Sequence, residues 1–312
     1  MMNSKFVNIS MRDVFITSLE KLAKKDKKII LIANDQGAPS LDSFKKNLPK
    51  QFFNAGISEQ NIIGVAAGLS IKGFKPFIYS INSFILYRTV EYIKIDLCAM
   101  NQPVKIFGVG SGFSYPEDGP THHSTEDMSF IGSLPNIELY NPSDSIIIDH
   151  IVKKVYKSNK PSVIRMDRQF CEPIYSSLKP NIKQGFCEII KNKNNCIVTT
   201  GFFTSKVKQL IQENNINCSL IDFFEIKNYD IKKFVRTIKK YKKIITIEEH
   251  SLRFGIGSIM STIISDNNLN IKLSRMGLME DKTFNYGTRN MLFSDNKLDN
   301  KSIKKTIYKN FN

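Results

Sequence analysis

Short apolar runs alternate with amphipathic helical patterns along almost the whole chain, and no other feature limits the fold so strongly. The runs at 29–33, 76–81, 104–109, 137–140 and 162–166 have the length and β-branched content of buried strands. Helical patterns near 58–71, 85–100 and 144–157 separate them, and Ser10-Met11-Arg12-Asp13 has the spacing of a capping box that opens an earlier helix. Buried strands joined through helices predict a parallel sheet covered on both faces. Residues 169–184 carry two prolines and no period, and read as a linker. A second series follows, with strands at 196–200, 218–223 and 244–247 and helices near 205–214, 230–240 and 256–265. The predicted fold class is α/β, with two doubly wound domains: 1–175 and a smaller 176–312.

Length and composition fit this reading. The chain has 312 residues, of which 41% are hydrophobic and 24% charged, enough for two real cores and too apolar for a disordered chain. No apolar stretch approaches the roughly 20 residues that span a bilayer, and 1–15 lack the pattern of a secretory signal. The five cysteines show no CxxC spacing, which argues against structural zinc or a disulfide framework. The expected location is cytoplasmic, with no membrane contact.

The net charge of +16 is unevenly placed: residues 51–150 carry −5 and the remainder +21. The excess sits in lysine runs such as 24–28 and 239–243, at predicted helix ends where cations are favoured by the dipole and well solvated. They read as surface, so no nucleic-acid partner is expected.

In open parallel sheets, functional residues gather beyond the carboxyl ends of strands, and three segments stand out there. The first is Phe53-Asn54-Ala55-Gly56-Ile57-Ser58-Glu59-Gln60, running into a glycine-rich helix. It places Glu59 in a first turn, where the dipole favours a carboxylate. The second, 79–88, follows a strand and carries Phe84 and Tyr87 three apart on one helical face, with Arg88 read as a surface or interface partner of Glu91. The third, 108–123, ends a strand in a glycine-rich loop holding Ser111, Glu117, Asp118, His122 and His123, half of the four histidines in the chain. General acid–base or polar substrate contacts suit it better than zinc, because adjacent histidines point apart and no thiol lies near.

Taken together, FNAGISEQNIIGVAAGLS, the aromatic helix start, EDGPTHHSTEDM and LPNIELYNPSD resemble the pyrimidine-binding domain of transketolases. They are also similar to the matching part of 1-deoxyxylulose-5-phosphate synthase. The later part, with CIVTTG at 196–201 and IEEH at 247–250 before GIGS at 255–258, resembles the transketolase C-terminal domain. The resemblance runs from about residue 10 to 290 and implies thiamin diphosphate as cofactor. It puts Glu59 on the glutamate that hydrogen-bonds the aminopyrimidine ring and favours the tautomer that deprotonates the thiazolium carbon. Phe84, with Tyr87 beside it, falls on the aromatic that stacks on the pyrimidine. Asp118 and His122 fall on groups that meet sugar hydroxyls or the carbonyl. Arg165 or Arg168, with Arg165 preferred, falls on an arginine that grips a substrate phosphate, for which a guanidinium suits in charge and geometry. His123 is expected to be structural or to support its neighbour, and His250 to be structural.

Two departures qualify the match. The family's diphosphate-binding half, with its Gly-Asp-Gly motif, is missing from this sequence. The chain therefore reads as the C-terminal-type subunit of a split transketolase, inactive alone. An N-terminal-type subunit would hold the Mg2+ (or Ca2+) and the diphosphate, in a heterotetramer acting on sugars or sugar phosphates. Transketolases also place a substrate-binding histidine eight residues before the aspartate, where this chain has Gly110. Synthase relatives carry an arginine at the position of Ser111. The expected reaction is two-carbon ketol transfer from a ketose to an aldose. The alternatives are a deoxyxylulose phosphate synthase-like carboligation and a non-catalytic scaffold of the same fold.

Overall fold

The computed structural model describes residue 6 and residues 8–176, 178–192 and 194–311. Each predicted strand of the first series forms. β1 (Ile29–Ala33), β2 (Phe52–Asn54), β3 (Lys75–Ile81), β4 (Lys105–Val109), β5 (Glu138–Tyr140) and β6 (Ser162–Met166) are all mutually parallel where they pair. The second series gives β7 (Cys187–Ile190), β8 (Asn195–Thr199), β9 (Ser219–Asp222), β10 (Glu225–Lys227), β11 (Lys243–Ser251) and β12 (Lys272–Leu278). The first sheet runs β10-β5-β6-β4-β3-β1-β2 and the second β12-β11-β8-β9-β7. One strand crosses between the series: β10 lies in the second by sequence, yet it pairs antiparallel with β5 and closes the edge of the first sheet.

Period-two alternation sorts the first sheet's side chains between two apolar layers. Phe77, Phe107 and Ile164 face the helices Met11–Ala23 and Ser145–Tyr156, where Phe15 stacks on Phe107 with ring centroids 3.9 Å apart. Ile78, Ile106 and Val163 face the other way, into a layer that continues without a break through Phe186, Val198, Phe223 and Ile256 of the second series. The two domains therefore share a core layer. A third cluster, around Phe203, Ile245 and Phe293, covers the far face of the second sheet.

The cap predicted at Ser10 forms, and the structure adds a second at Asp144. The Ser10 hydroxyl accepts from the Asp13 amide at 3.1 Å, and Asp144 caps Ser145–Tyr156 by accepting from the Ile147 amide at 2.9 Å. The expected helix over 85–100 differs. A short helix at Asn82–Tyr87 gives way to one turn at Val90–Tyr92 and then a π-helical stretch at Ile93–Ala99. The break falls where the Thr89 hydroxyl donates back to the Ile85 carbonyl, a bond that competes with the helical ladder. It turns the Phe84 end of this segment toward the strand ends.

Among the described residues, no helix is long and apolar enough to cross a membrane.

Candidate active site

The carboxyl ends of β6, β4, β3, β1 and β2 follow one another across the first sheet, and the segments after β2, β3, β4 and β6 build one site. Close backbone approach there depends on Gly108, since a Cβ at that position would overlap the buried Asn82 side chain. Asn82 in turn donates to the Ser124 hydroxyl at 2.7 Å and to Asp127 at 2.9 Å, tying the start of the β3 helix to the histidine loop.

Glu59 occupies the first turn of the helix Glu59–Ile71 and is only 3% exposed. Its Oε2 accepts from Arg88 Nη1 at 3.0 Å, and the Arg88 guanidinium lies 4.4 Å from the centroid of the Phe84 ring. Arg88 is thus partnered with Glu59 rather than with Glu91. Sequence spacing favours neighbours on one helix, and here the carboxylate comes from another helix 29 residues earlier.

A cavity of about 610 Å³ opens beside this pair, lined by Phe84, Tyr87, Arg88, Thr125, Glu126 and, from the C-terminal part, Phe284. Glu59 itself stands behind Arg88. Tyr87 donates its hydroxyl to Glu126 Oε2 at 2.6 Å and accepts from the Glu126 amide at 3.1 Å, and burial pushes its phenol well above the ordinary tyrosine range. It remains a neutral donor.

Beyond Phe84 a row of rings leads away from the cavity. His122 meets Phe84 edge-on at 4.8 Å, Tyr115 follows at 5.6 Å, and the Arg168 guanidinium lies 4.6 Å from the Tyr115 ring centroid. Asp118 sits exposed at the tip of the same loop, in a turn where the Thr121 hydroxyl donates to its carbonyl at 3.4 Å. Ser111 is buried, with its amide donating to the Met166 carbonyl at 3.2 Å. His123, expected to be structural, is 4% exposed but does line the cavity. Its ring nitrogens lie 3.4 Å from the Thr283 and Pro116 carbonyls, and burial lowers its pKa.

The structure reverses the preference between the two arginines. Arg165 is 1% exposed, with Nε and Nη2 bound to the Asp127 carboxylate at 2.5 and 2.9 Å and Nη2 also donating to the Ser124 carbonyl at 3.0 Å. Strand alternation points it inward, where its charge is already matched, so it cannot meet a substrate phosphate. Arg168, three residues on, is exposed at the end of the ring row.

The C-terminal part holds this loop cluster in place. Glu249 accepts from the Phe113 amide at 2.9 Å, and Arg289 bridges Glu249 and Asp167 through bonds of 2.5–3.1 Å. The Ser251 amide donates to the Thr125 carbonyl at 2.8 Å. His250, as expected, is fully enclosed, and burial pushes its pKa down to about 4. Nothing in the local pattern around Arg289 marked it, since its two carboxylates lie 122 and 40 residues away.

For the aminopyrimidine half of thiamin diphosphate the residues fit: a buried carboxylate with Oε1 unclaimed by Arg88, next to an aromatic-walled cavity. Among the described residues, no group of three or more His, Cys, Asp or Glu side chains is placed to hold a metal ion.

Residues 7–172 match the family model described as transketolase, pyrimidine binding domain, and 187–303 that of transketolase, C-terminal domain. The chain is 29% identical over 303 residues to one subunit of an apulose-4-phosphate transketolase from Phocaeicola vulgatus, covering 96% of each. It is 29% identical over 308 residues to a 1-deoxy-D-xylulose-5-phosphate synthase of Caldanaerobacter subterraneus subsp. tengcongensis, covering 97% of this chain and 49% of the other. A solved split-gene transketolase, described as an inactive beta4 tetramer, superposes with a TM-score of 0.87 at 27% identity, covering 97% of this chain and 98% of that one.

Proposed function

The chain belongs to the transketolase family, and from that premise we propose that it is the C-terminal-type subunit of a split thiamin-diphosphate-dependent enzyme. Joined to an N-terminal-type subunit, it moves a two-carbon ketol unit from a ketose or ketose phosphate to an aldose. The observation that carries this reading is Glu59, a buried carboxylate whose Oε1 has no partner among the described residues, bonded to Arg88, which lines an aromatic-walled cavity. The full-length similarity to one subunit of an apulose-4-phosphate transketolase supports it. The metal and diphosphate fall to the partner subunit, a division supported by the similarity to one subunit of an apulose-4-phosphate transketolase over 96% of that subunit's length.

When bound, the cofactor supplies the nucleophilic carbon and the electron sink for breaking a carbon–carbon bond. Glu59 would hold a ring N–H of the pyrimidine through Oε1, with Oε2 bonded to Arg88. A carboxylate suits that contact because the ring it holds gains positive charge. Phe84 offers its face to the ring, and Tyr87, anchored on Glu126, walls the same side. His122, packed against Phe84, would move a proton to or from the sugar carbonyl oxygen. Asp118, exposed at the loop tip, would meet sugar hydroxyls, and Arg168, with no ion pair among the described residues, would meet a distal phosphate.

The similarity to deoxyxylulose phosphate synthases favours a carboligation as the second reading. Ser111, buried where those enzymes carry an arginine, counts against it. Incubating the two-subunit complex with a ketose phosphate and an aldose, and in parallel with pyruvate and the same aldose, and reading products by mass, separates the two. Ketol transfer lengthens the aldose by two carbons and shortens the ketose by two. Synthase chemistry instead consumes pyruvate and releases carbon dioxide. In the same assay, Arg168→Ala raises KM for phosphorylated sugars roughly 10–100-fold, the range for a lost hydrogen bond to a charged group, and leaves unphosphorylated sugars unchanged. Equal loss on both kinds of sugar would remove the phosphate role.

A further inference from the structure

Gly110 stands where transketolases have a substrate-binding histidine, and the structure says what fills the space. Its φ is +105°, and a Cβ built there would overlap the ring of Tyr115. A side chain at 110 and the present Tyr115 exclude each other. The phenol therefore occupies the volume that the glycine leaves.

Three observations give that phenol a role. Its ring is the middle member of the row from Phe84 through His122 to Arg168, 5.6 Å from the imidazole and 4.6 Å from the guanidinium. It is half-buried, so part of it stays open to solvent. Among the described residues, its hydroxyl has no hydrogen-bond partner, unlike the Tyr87 hydroxyl, which is bound to Glu126. A phenol stripped of part of its water and given no protein partner is a vacant donor, and burial keeps it protonated by raising its pKa.

We infer that Tyr115 is a specificity-determining residue, its hydroxyl donating to a mid-chain hydroxyl of the sugar while its ring holds Arg168 for the terminal phosphate. This rests on the two-carbon transfer reading above. The order along the row assigns the carbonyl end of the sugar to His122, the middle to Tyr115 and the charged end to Arg168. The preferred substrate is then a sugar phosphate long enough to reach all three. A short donor without a phosphate, such as the three-carbon anion hydroxypyruvate, which passes on two carbons and releases its carboxylate as carbon dioxide, touches only the first.

The test uses the complete two-subunit complex, with hydroxypyruvate as donor and a panel of aldose phosphates of three to six carbons as acceptors. Tyr115→Phe keeps the ring and its contact with Arg168 and removes only the hydroxyl. The expected result is a KM about 3–10-fold higher for the preferred aldose phosphate, the range for one lost neutral hydrogen bond, with KM for hydroxypyruvate unchanged. The variant also loses its preference for that aldose over the analogue lacking the mid-chain hydroxyl. Gly110→Ala, which pushes the ring aside, should raise KM for the same acceptor. An active complex in which Tyr115→Phe matches wild type on every acceptor overturns the role of Tyr115 alone. A wild-type complex that moves no two-carbon unit from hydroxypyruvate to any acceptor overturns the transfer reading, and this inference with it.

Discussion

Replacing Glu59 with Gln should lower kcat of the two-subunit complex by about 10²–10⁴-fold, the usual worth of a proton-transfer group, while the complex assembles as before. The amide is nearly isosteric and can still accept from Arg88 through its carbonyl oxygen. It cannot supply a negative charge to a ring that becomes positive. The substitution therefore separates chemistry from architecture. Glu59 is buried but lies at a helix start, facing the exposed side chain of Arg88, so the fold does not depend on its charge. Size-exclusion chromatography of the complex and a steady-state assay with a ketose phosphate donor check the two halves of this expectation. Unchanged turnover would remove Glu59 from the mechanism.

Arg289→Met should destabilise the chain by about 3–5 kcal/mol, the cost of breaking a buried ion pair by removing one partner. The guanidinium is 5% exposed and is the charge that matches both Asp167 and Glu249. Without it, two carboxylates share an enclosed space that also receives the Phe113 amide. Burial already raises the pKa of Glu249, and Arg289 is the largest influence pulling it back down. Removing Arg289 leaves burial opposed only by the Phe113 amide, so the folded pKa of Glu249 rises further and the group binds a proton more readily folded than unfolded. An acid whose folded pKa lies above its unfolded one stabilises most below the unfolded value, and that stability fades as pH rises through the folded value. The deficit of Arg289→Met should therefore be smaller near pH 5 than near pH 8. Urea unfolding at the two pH values checks both the size and the sign. Asp167 directly precedes Arg168, and Glu249 holds the Phe113 end of the histidine loop. The variant should thus also raise KM for phosphorylated acceptors before it unfolds.

The sequence made the frame legible wherever the signal was local. Strand runs, the Ser10 cap and the carboxylate opening the helix at Glu59 are properties of short windows, and each appears in the structure where the residues placed it. What stayed hidden depends on partners distant in the chain. Arg165 and Arg168 look equivalent by type and position, and what separates them is Asp127, 38 residues before Arg165. The β10 crossover was not legible either, because three residues of ordinary strand character do not say which sheet edge they join. Nothing local marks Tyr115 either; it is the backbone at Gly110 that leaves room for its ring.

The central claim is that this chain supplies only the pyrimidine end of a shared cofactor site. The most direct test is equilibrium dialysis of thiamin diphosphate with Mg2+ against the chain alone and against its complex with an N-terminal-type subunit. Saturable binding by the complex, with none by the isolated chain at the same concentrations, is the predicted result. Equal binding by the isolated chain, or no binding by an assembled complex, would contradict it.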